Sequence, residues 1–506
     1  MVSISIDTWH AMVALPGGLH ARAARGLVRG RGGAGAARPE RRVGGGDGRP
    51  PAAGRGAGAG PAVARRGPRR RRVRRAPNSH ETTGRPVPDA AALRRASRAA
   101  GIKERILAEI RPDEVVELAK ALVKIPSYTT DETEVARYLD GYLRRQGLES
   151  RLQETDPGRF QTIGRLPGSG GGRSLMFDGH IDIDPIPGGW IRDPWTPTVE
   201  GDRFYGAGIF NMKGGVTAMV MAAVAAKRAG VPLRGDVVLA CVVGELQGGV
   251  GTVHLLRSGV RTDLAIVPEP YTTQNIITKH TGVIELAVHV VGRSAHISRM
   301  EHGINAIGKM TQVVQALEPL QLSGPRDPDL PGLPRLLVGS ILGGRGRGHE
   351  FRGPNIVPDF CTIYVDVRFP HGVTPESILA DLRGTLDALV RADAELAYEI
   401  EYPMKPERRV FREVMMPLSV PTDHPLVRTL KANVTAIRGV EPTVGAVLPF
   451  SYAGNDTSHL YAAGIPCCLY GPGGGFDERG ADRWTSVEQI VTCAKVFGAM
   501  IADVCG

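Results

Sequence analysis

His180 and Asp182 are the residues of this chain whose type and spacing most directly offer chemistry. They follow Arg173–Phe177, which reads as a short apolar strand ending at Gly179-His180. A histidine at a strand end can give one ring nitrogen to a metal ion. A carboxylate two residues on can hold the other nitrogen, which fixes the tautomer and raises the basicity of the ligating atom. Taken alone, a single histidine is more often structural than ligating. Two further acids stand at comparable places: Glu245 follows the apolar run Asp236–Val243, and Glu269 follows Leu264–Val267. Open α/β sheets place their sites at such strand ends.

The segment Met176–Gly215 reads MFDGHIDIDPIPGGWIRDPWTPTVEGDRFYGAGIFNMKGG. It resembles the first metal motif of the acetylornithine deacetylase/succinyl-diaminopimelate desuccinylase family, which also holds aminoacylases and glutamate-carboxypeptidase-type zinc peptidases. The family pattern is GHxDxVP, then W.DPF, then YGRG-x-x-DMKGG. The resemblance covers about residues 105–506. It implies two zinc ions that share the Asp of DMKGG, a position held here by Asn211. One ion also takes the His of GHxD and the carboxylate of an EPT-like motif. These are His180 and Glu269, the latter in Val267-Pro268-Glu269-Pro270-Tyr271. The second ion takes the second Glu of a Glu-Glu pair, aligned with Glu245-Leu246, and a His near the C-terminus. Glu245 keeps the position of the general base, and Leu246 stands at the ligand position. The C-terminal pattern resembles GPG…HGADEWVSVEDL. This chain has Arg479-Gly480-Ala481-Asp482-Arg483-Trp484-Thr485-Ser486-Val487-Glu488-Gln489-Ile490, so Arg479 falls on the His position.

An amide, an alkyl chain and a guanidinium cannot together hold a dication. Arginine stays protonated and has no lone pair to donate. A dication about 5 Å from it would feel roughly 7 kcal/mol of repulsion at an effective dielectric of 20. The expectation is therefore one zinc ion at most, or none, on His180, Glu269 and the weak donor Asn211.

The same resemblance assigns substrate contacts. Gly292-Arg293-Ser294-Ala295-His296 matches a lid motif whose His reaches the partner subunit's site and polarises the scissile carbonyl. Asn355 and Arg368 match lid residues that grip a substrate carboxylate, a task suited to a guanidinium fork. Gly473, in the loop Gly471–Gly475, could present its N–H to an anion. Asp182, Glu245 and His296 are then the catalytic candidates, and Asn355, Arg368, Arg479 and Gly473 the substrate-binding ones. The implied reaction is hydrolysis of the amide of an N-acyl amino acid or small peptide with a free carboxylate. One alternative is a metal-depleted isomerase, epimerase, lyase or acyl transferase that uses Glu245 and Arg479. A second is a non-catalytic binding protein on the same scaffold.

Composition suits a folded enzyme: 506 residues, 42% hydrophobic and 23% charged. The net charge of +11 is unevenly spread, because residues 1–100 carry 21 Arg, no Lys and five acids. The remainder is mildly acidic, so no nucleic-acid partner is expected of the folded part. Residues 1–98 are Arg/Gly/Ala/Pro-rich and cannot bury a core. They read as a disordered leader, as translated upstream DNA from a mis-assigned start, or as an electrostatic tether. Six scattered cysteines without a CxxC suit reduced, buried thiols and a cytoplasmic protein. No apolar run is expected to reach the roughly 18–20 residues that span a bilayer, and no signal peptide or membrane partner is expected.

The elements that must position these residues read as α/β. The expected architecture is a zinc-peptidase-like catalytic domain with a mixed central sheet, in two parts (103–279 and 405–506). A ferredoxin-like β-α-β-β-α-β lid (280–404) interrupts it, and the family resemblance implies a homodimer through that lid. Thr374-Pro375 marks a helix start, and Ser486 with Gln489 reads as a capping box for the last helix.

Overall fold

The computed structural model describes residues 101–350, 355–404 and 413–506. The leader reading for residues 1–98 lies outside them. The central sheet has eight strands in the spatial order Glu149–Asp156, Arg159–Leu166, Val237–Val242, Leu175–His180, Leu264–Val267, Cys467–Leu469, Asn275–Ile277 and Thr443–Gly445. Leu175–His180 runs parallel to both of its neighbours, and Leu264–Val267 is parallel to Cys467–Leu469. The outer pair Glu149–Asp156 and Arg159–Leu166 is antiparallel, so the sheet is mixed. Every residue of the four inner strands is buried. That is why they read as continuous apolar runs instead of alternating ones: both faces are covered by helices.

The helices Gly214–Arg228 and Val487–Cys505 pack against each other and form one cover. Segment Ile209–Arg228 is, by length and composition, apolar enough to cross a membrane. This corrects the expectation that no such run exists. Its physical meaning is different, because 94% of that window is buried inside the protein. An all-round apolar helix is also what a central core position demands.

A second, antiparallel sheet follows in the order Arg335–Gly344, Phe360–Phe369, Gly282–Val291, Ala397–Glu401. With helices Ala306–Leu317 and Pro375–Ala392 this is the ferredoxin-like order expected from the sequence. It has its own core, from Ile284 and Leu286 to Leu382 and Leu386. Thr374 caps its second helix by accepting the Ser377 N–H, with Pro375 in the first turn. The chain leaves the central unit through Lys279–His280 and returns through Leu418–Ser419, and these two short strands pair antiparallel.

The capping box at Ser486 forms only in part. Ser486 Oγ accepts the Gln489 N–H at 3.1 Å. The Gln489 side chain turns elsewhere and takes the N–H groups of Gly473 at 2.8 Å and Thr273 at 3.0 Å.

Candidate active site

Three parallel strands end at one place. Leu175–His180 delivers His180, Val237–Val242 leads through Gly244 to Glu245, and Leu264–Val267 leads to Glu269. Gly244 has φ 65°, and a Cβ there would lie 2.8 Å from the Arg159 guanidinium, so the turn into Glu245 needs glycine. Gly215, at the start of the helix after Asn211, passes so near the Pro268 carbonyl that a Cβ would lie 2.1 Å from its oxygen. This close approach brings the Asn211 turn against the Glu269 loop.

His180 is 1% exposed. Its Nδ1 lies 3.0 Å from the Asp182 carbonyl oxygen and 3.4 Å from the Asp182 carboxylate. Both are acceptors, so Nδ1 carries the proton. Its Nε2 lies 3.1 Å from Asn211 Oδ1 and 3.8 Å from Glu269 Oε1. Three acceptor atoms thus converge on one spot, which calls for a proton on Nε2 or a cation between them. Burial opposes a charged ring, but the Asp182 hydrogen bond and the charges of Asp182, Glu245 and Glu269 outweigh it and hold the His180 pKa well above its ordinary value.

Asp182 is the hub beneath this spot. Its Oδ1 accepts the Glu245 N–H at 3.1 Å; its Oδ2 accepts the Leu246 N–H at 3.2 Å and the Thr129 hydroxyl at 3.1 Å. Burial would raise its pKa, yet His180 and these backbone donors leave it below the ordinary value. The other acids go the opposite way. Burial, with the charges of Glu269, Asp456 and Asp182, holds Glu245 well above the usual carboxylate range despite His180. Burial likewise raises Glu269 and Asp178, and it pushes Asp456 up to about 7.

The spot where these atoms meet offers donors for a metal ion. His180 Nε2 stands from Asn211 Oδ1 and from Glu269 Oε1 at spacings compatible with bonds of about 2.0–2.2 Å to one shared ion. Among the described residues no three His, Cys, Asp or Glu side chains gather as a metal-binding group, so the Asn211 amide is needed to complete the set. The second set does not fit. Leu246 contributes only its backbone N–H, and Arg479 points away.

Arg479 is a correction to the sequence reading. Its side chain is 68% exposed and forks onto Asp477, with Nε–Oδ1 at 3.0 Å and Nη2–Oδ2 at 2.9 Å. A carboxylate two residues away captures it before it can reach the buried cluster. Gly473 is a second correction. Its N–H is already donated to Gln489 and its carbonyl accepts the Ser486 N–H at 3.0 Å, so it offers no anion cradle. Arg368 lies within the electrostatic reach of Glu245, but its fork is engaged by Asp366 at 2.7 and 2.6 Å. His296 and Asn355 are exposed. His296 Nδ1 lies 2.8 Å from the Ser298 hydroxyl, and the Asn355 carbonyl accepts the Ile297 N–H. Within one chain neither belongs to the buried cluster.

Four residues of the site escaped the sequence reading. Asp178 accepts the Thr252 hydroxyl at 3.0 Å. An acid inside an otherwise apolar strand was the available signal. Asp456 is fully buried just before the helix Thr457–Ala462, and its charge reaches both Glu245 and Asp178. Arg159, 6% exposed, forks onto Glu132 and donates to Gln247 Oε1 at 2.8 Å, in the same turn as Glu245. Glu132 completes that pair. Nothing local marks these last two, because their partners lie far apart in sequence.

The pattern of peptidase family M20/M25/M40 matches residues 176–503. The N-formyl-4-amino-5-aminomethyl-2-methylpyrimidine deformylase of Bacillus subtilis is 26% identical, over 78% of this chain and 96% of the relative. The acetylornithine deacetylase of Aliivibrio fischeri strain MJ11 is 30% identical, over 53% of this chain and 69% of the relative. Among solved structures, YXEP of Bacillus subtilis, a dinuclear metal-binding peptidase, superposes with a TM-score of 0.53 at 15% identity, covering 78% of this chain and 98% of its own.

Proposed function

Since the chain belongs to peptidase family M20/M25/M40, whose members include amidohydrolases and peptidases acting on C–N bonds, we propose that it hydrolyses the amide of an N-acyl amino acid or small peptide with at most one metal ion. The observation that supports this is the convergence of His180 Nε2, Glu269 and Asn211 Oδ1 beside Glu245. An ion held there would polarise the scissile carbonyl. Glu245 accepts a proton from the attacking water and returns it to the departing amine, and its burial gives it the proton affinity for both tasks. Asp182 holds the His180 tautomer and, through two backbone N–H groups, the turn that carries Glu245. A metal-free reaction driven by Arg479 has no support in the geometry, because Asp477 holds that guanidinium outward. Substrate-carboxylate binding by Arg368 would require exchange with Asp366.

The partner is a second copy of the chain. Strand Arg335–Gly344 is an edge of the lid sheet, and it exposes Leu337, Ile341 and Leu342 at 54%, 50% and 42%. A long apolar edge strand is a pairing surface. A homodimer is also the arrangement in which the exposed His296 could serve a neighbouring site.

The test is amine release from a panel of N-formyl and N-acetyl amino acids, by protein purified without an affinity metal and then dialysed against zinc or cobalt. We expect turnover with about one ion per chain, and a kcat loss of roughly 10²–10⁴-fold in Glu245→Gln with unchanged melting. No turnover by the metal-loaded protein, or full activity in Glu245→Gln, overturns the reading.

A further inference from the structure

Two departures from the family pattern lie 299 residues apart and meet in space. Asp184 stands where GHxDxVP has Val, and Arg483 stands where HGADEWVSVEDL has Glu. Arg483 Nη1 donates to Asp184 Oδ2 at 3.2 Å, with side-chain exposures of 8% and 19%. Arg483 lies in strand Arg483–Ser486, which pairs with Arg203–Tyr205 and Gly474–Phe476. Its guanidinium is 5.5 Å from the Phe476 ring, which in turn is 6.1 Å from the ring of Phe210, the neighbour of Asn211. Asp184 feels the charges of His180 and Asp182. The pair therefore adjoins the buried cluster. Burial raises Asp184 to about 6 and lowers Arg483 to about 10, so both are charged at neutral pH.

We propose that the Asp184–Arg483 ion pair takes the place of the second metal ion as the tie between the His180 loop and the C-terminal strand. The inference rests on the reading that the second ligand set is absent. A metal ion bound by ligands from separate segments is a cross-link, and its loss removes one of the links between them. A buried guanidinium–carboxylate pair restores one fixed distance between them. Such pairs add little net stability against apolar residues of similar size, but removing one partner strands a buried charge. The pair therefore acts by fixing position. Arg479 cannot do this work, since it is exposed and bound within its own loop. A separate set of contacts joins the same segments, with Asp482 accepting the Ile191 and Arg192 N–H groups and the Arg192 guanidinium pairing with Asp477 and Asp482.

The experiment is hydrogen exchange on full-length, chelator-treated protein, for wild type, Asp184→Asn, Arg483→Met and the double variant. Each single change is expected to speed exchange about tenfold in both segments 181–195 and 476–486, and the double variant no more than the worse single. Loosening confined to the mutated segment, or additive effects, overturns the tie. A second arm needs no variant: cobalt is titrated into the wild type. A second equivalent that slows exchange in 476–486 shows that an ion still does this job, and overturns the replacement. No such slowing supports it. Absence of amidase activity would sink the proposed function instead, and leaves the coupling readable in the same metal-free protein.

Discussion

Asp182 joins His180 to Glu245: one carboxylate faces the His180 ring at 3.4 Å and accepts the Glu245 N–H at 3.1 Å. The two groups that must cooperate are thereby fixed to one buried acid. Asp182→Asn keeps the shape but loses the charge that orients the ring and raises its basicity. We expect a loss of about 10–100-fold in kcat/KM or in metal affinity. Steady-state kinetics and chelator competition measure it, and an unchanged Asp182→Asn enzyme would remove Asp182 from the mechanism.

In the proposed site, Asn211 would set how tightly an ion is held. Asn211→Asp supplies a charged oxygen at the same place and should tighten zinc by about tenfold or more, without admitting a second ion. Arg479→His alone should also leave the count at one, since Leu246 still donates nothing. The triple change Asn211→Asp, Leu246→Glu, Arg479→His should bind two. Elemental analysis of the three proteins decides; a triple variant that stops at one ion would show that these positions do not form the second set.

The lid carries a pH-sensitive acid. Burial, and then the charge of Asp366 opposite it, raises Glu285 to about 7, with Arg368 only partly relieving it. A raised folded pKa means stability that is present in full below the unfolded value of about 4.5 and is lost as pH rises through 7. Glu285→Gln should remove that loss. Its melting temperature should exceed that of wild type increasingly between pH 5 and 8, by the equivalent of about 1–3 kcal/mol. A constant difference across that window would exonerate Glu285.

The exposed edge should govern assembly. Leu337→Lys with Ile341→Lys places two charges on strand Arg335–Gly344 and should shift a dimer to monomer in sedimentation velocity. If His296 serves the partner's site, activity should fall in parallel. A monomeric variant with full activity would separate the two roles.

The buried clamp beneath the base is also testable. Arg159→Met leaves Glu132 uncompensated inside the protein, and a loss of about 3–5 kcal/mol is expected on chemical denaturation. Arg159→Met/Glu132→Leu should recover much of it. If the double variant is no better than the single, the pair is not a closed unit.

Much of the fold was legible because local signals agreed with it. The run Leu264-Ala265-Ile266-Val267 is a strand at those bounds, and Pro375–Ala392 is a helix with its Thr374 cap. Parallel, doubly covered strands give apolar runs, and a proline after a threonine starts a helix whatever lies around it. The places of three buried residues were legible because they follow strand ends, as with His180, Glu245 and Glu269. Arg479 and Gly473 were misread for one reason. A sequence position fixes where a backbone passes, whereas the nearest competing partner decides where a side chain or N–H turns. Here those partners are Asp477 and Gln489.

The sequence by itself determined the family, the α/β order of elements and the three strand-end residues His180, Glu245 and Glu269. These are properties of residue type and short-range spacing. The tertiary structure alone decided which charges meet: Arg483 with Asp184, Arg159 with Glu132, and Asp456 and Asp178 behind Glu245. Electrostatic energy depends on distance and burial, and for partners separated by tens to hundreds of residues both are set only by folding.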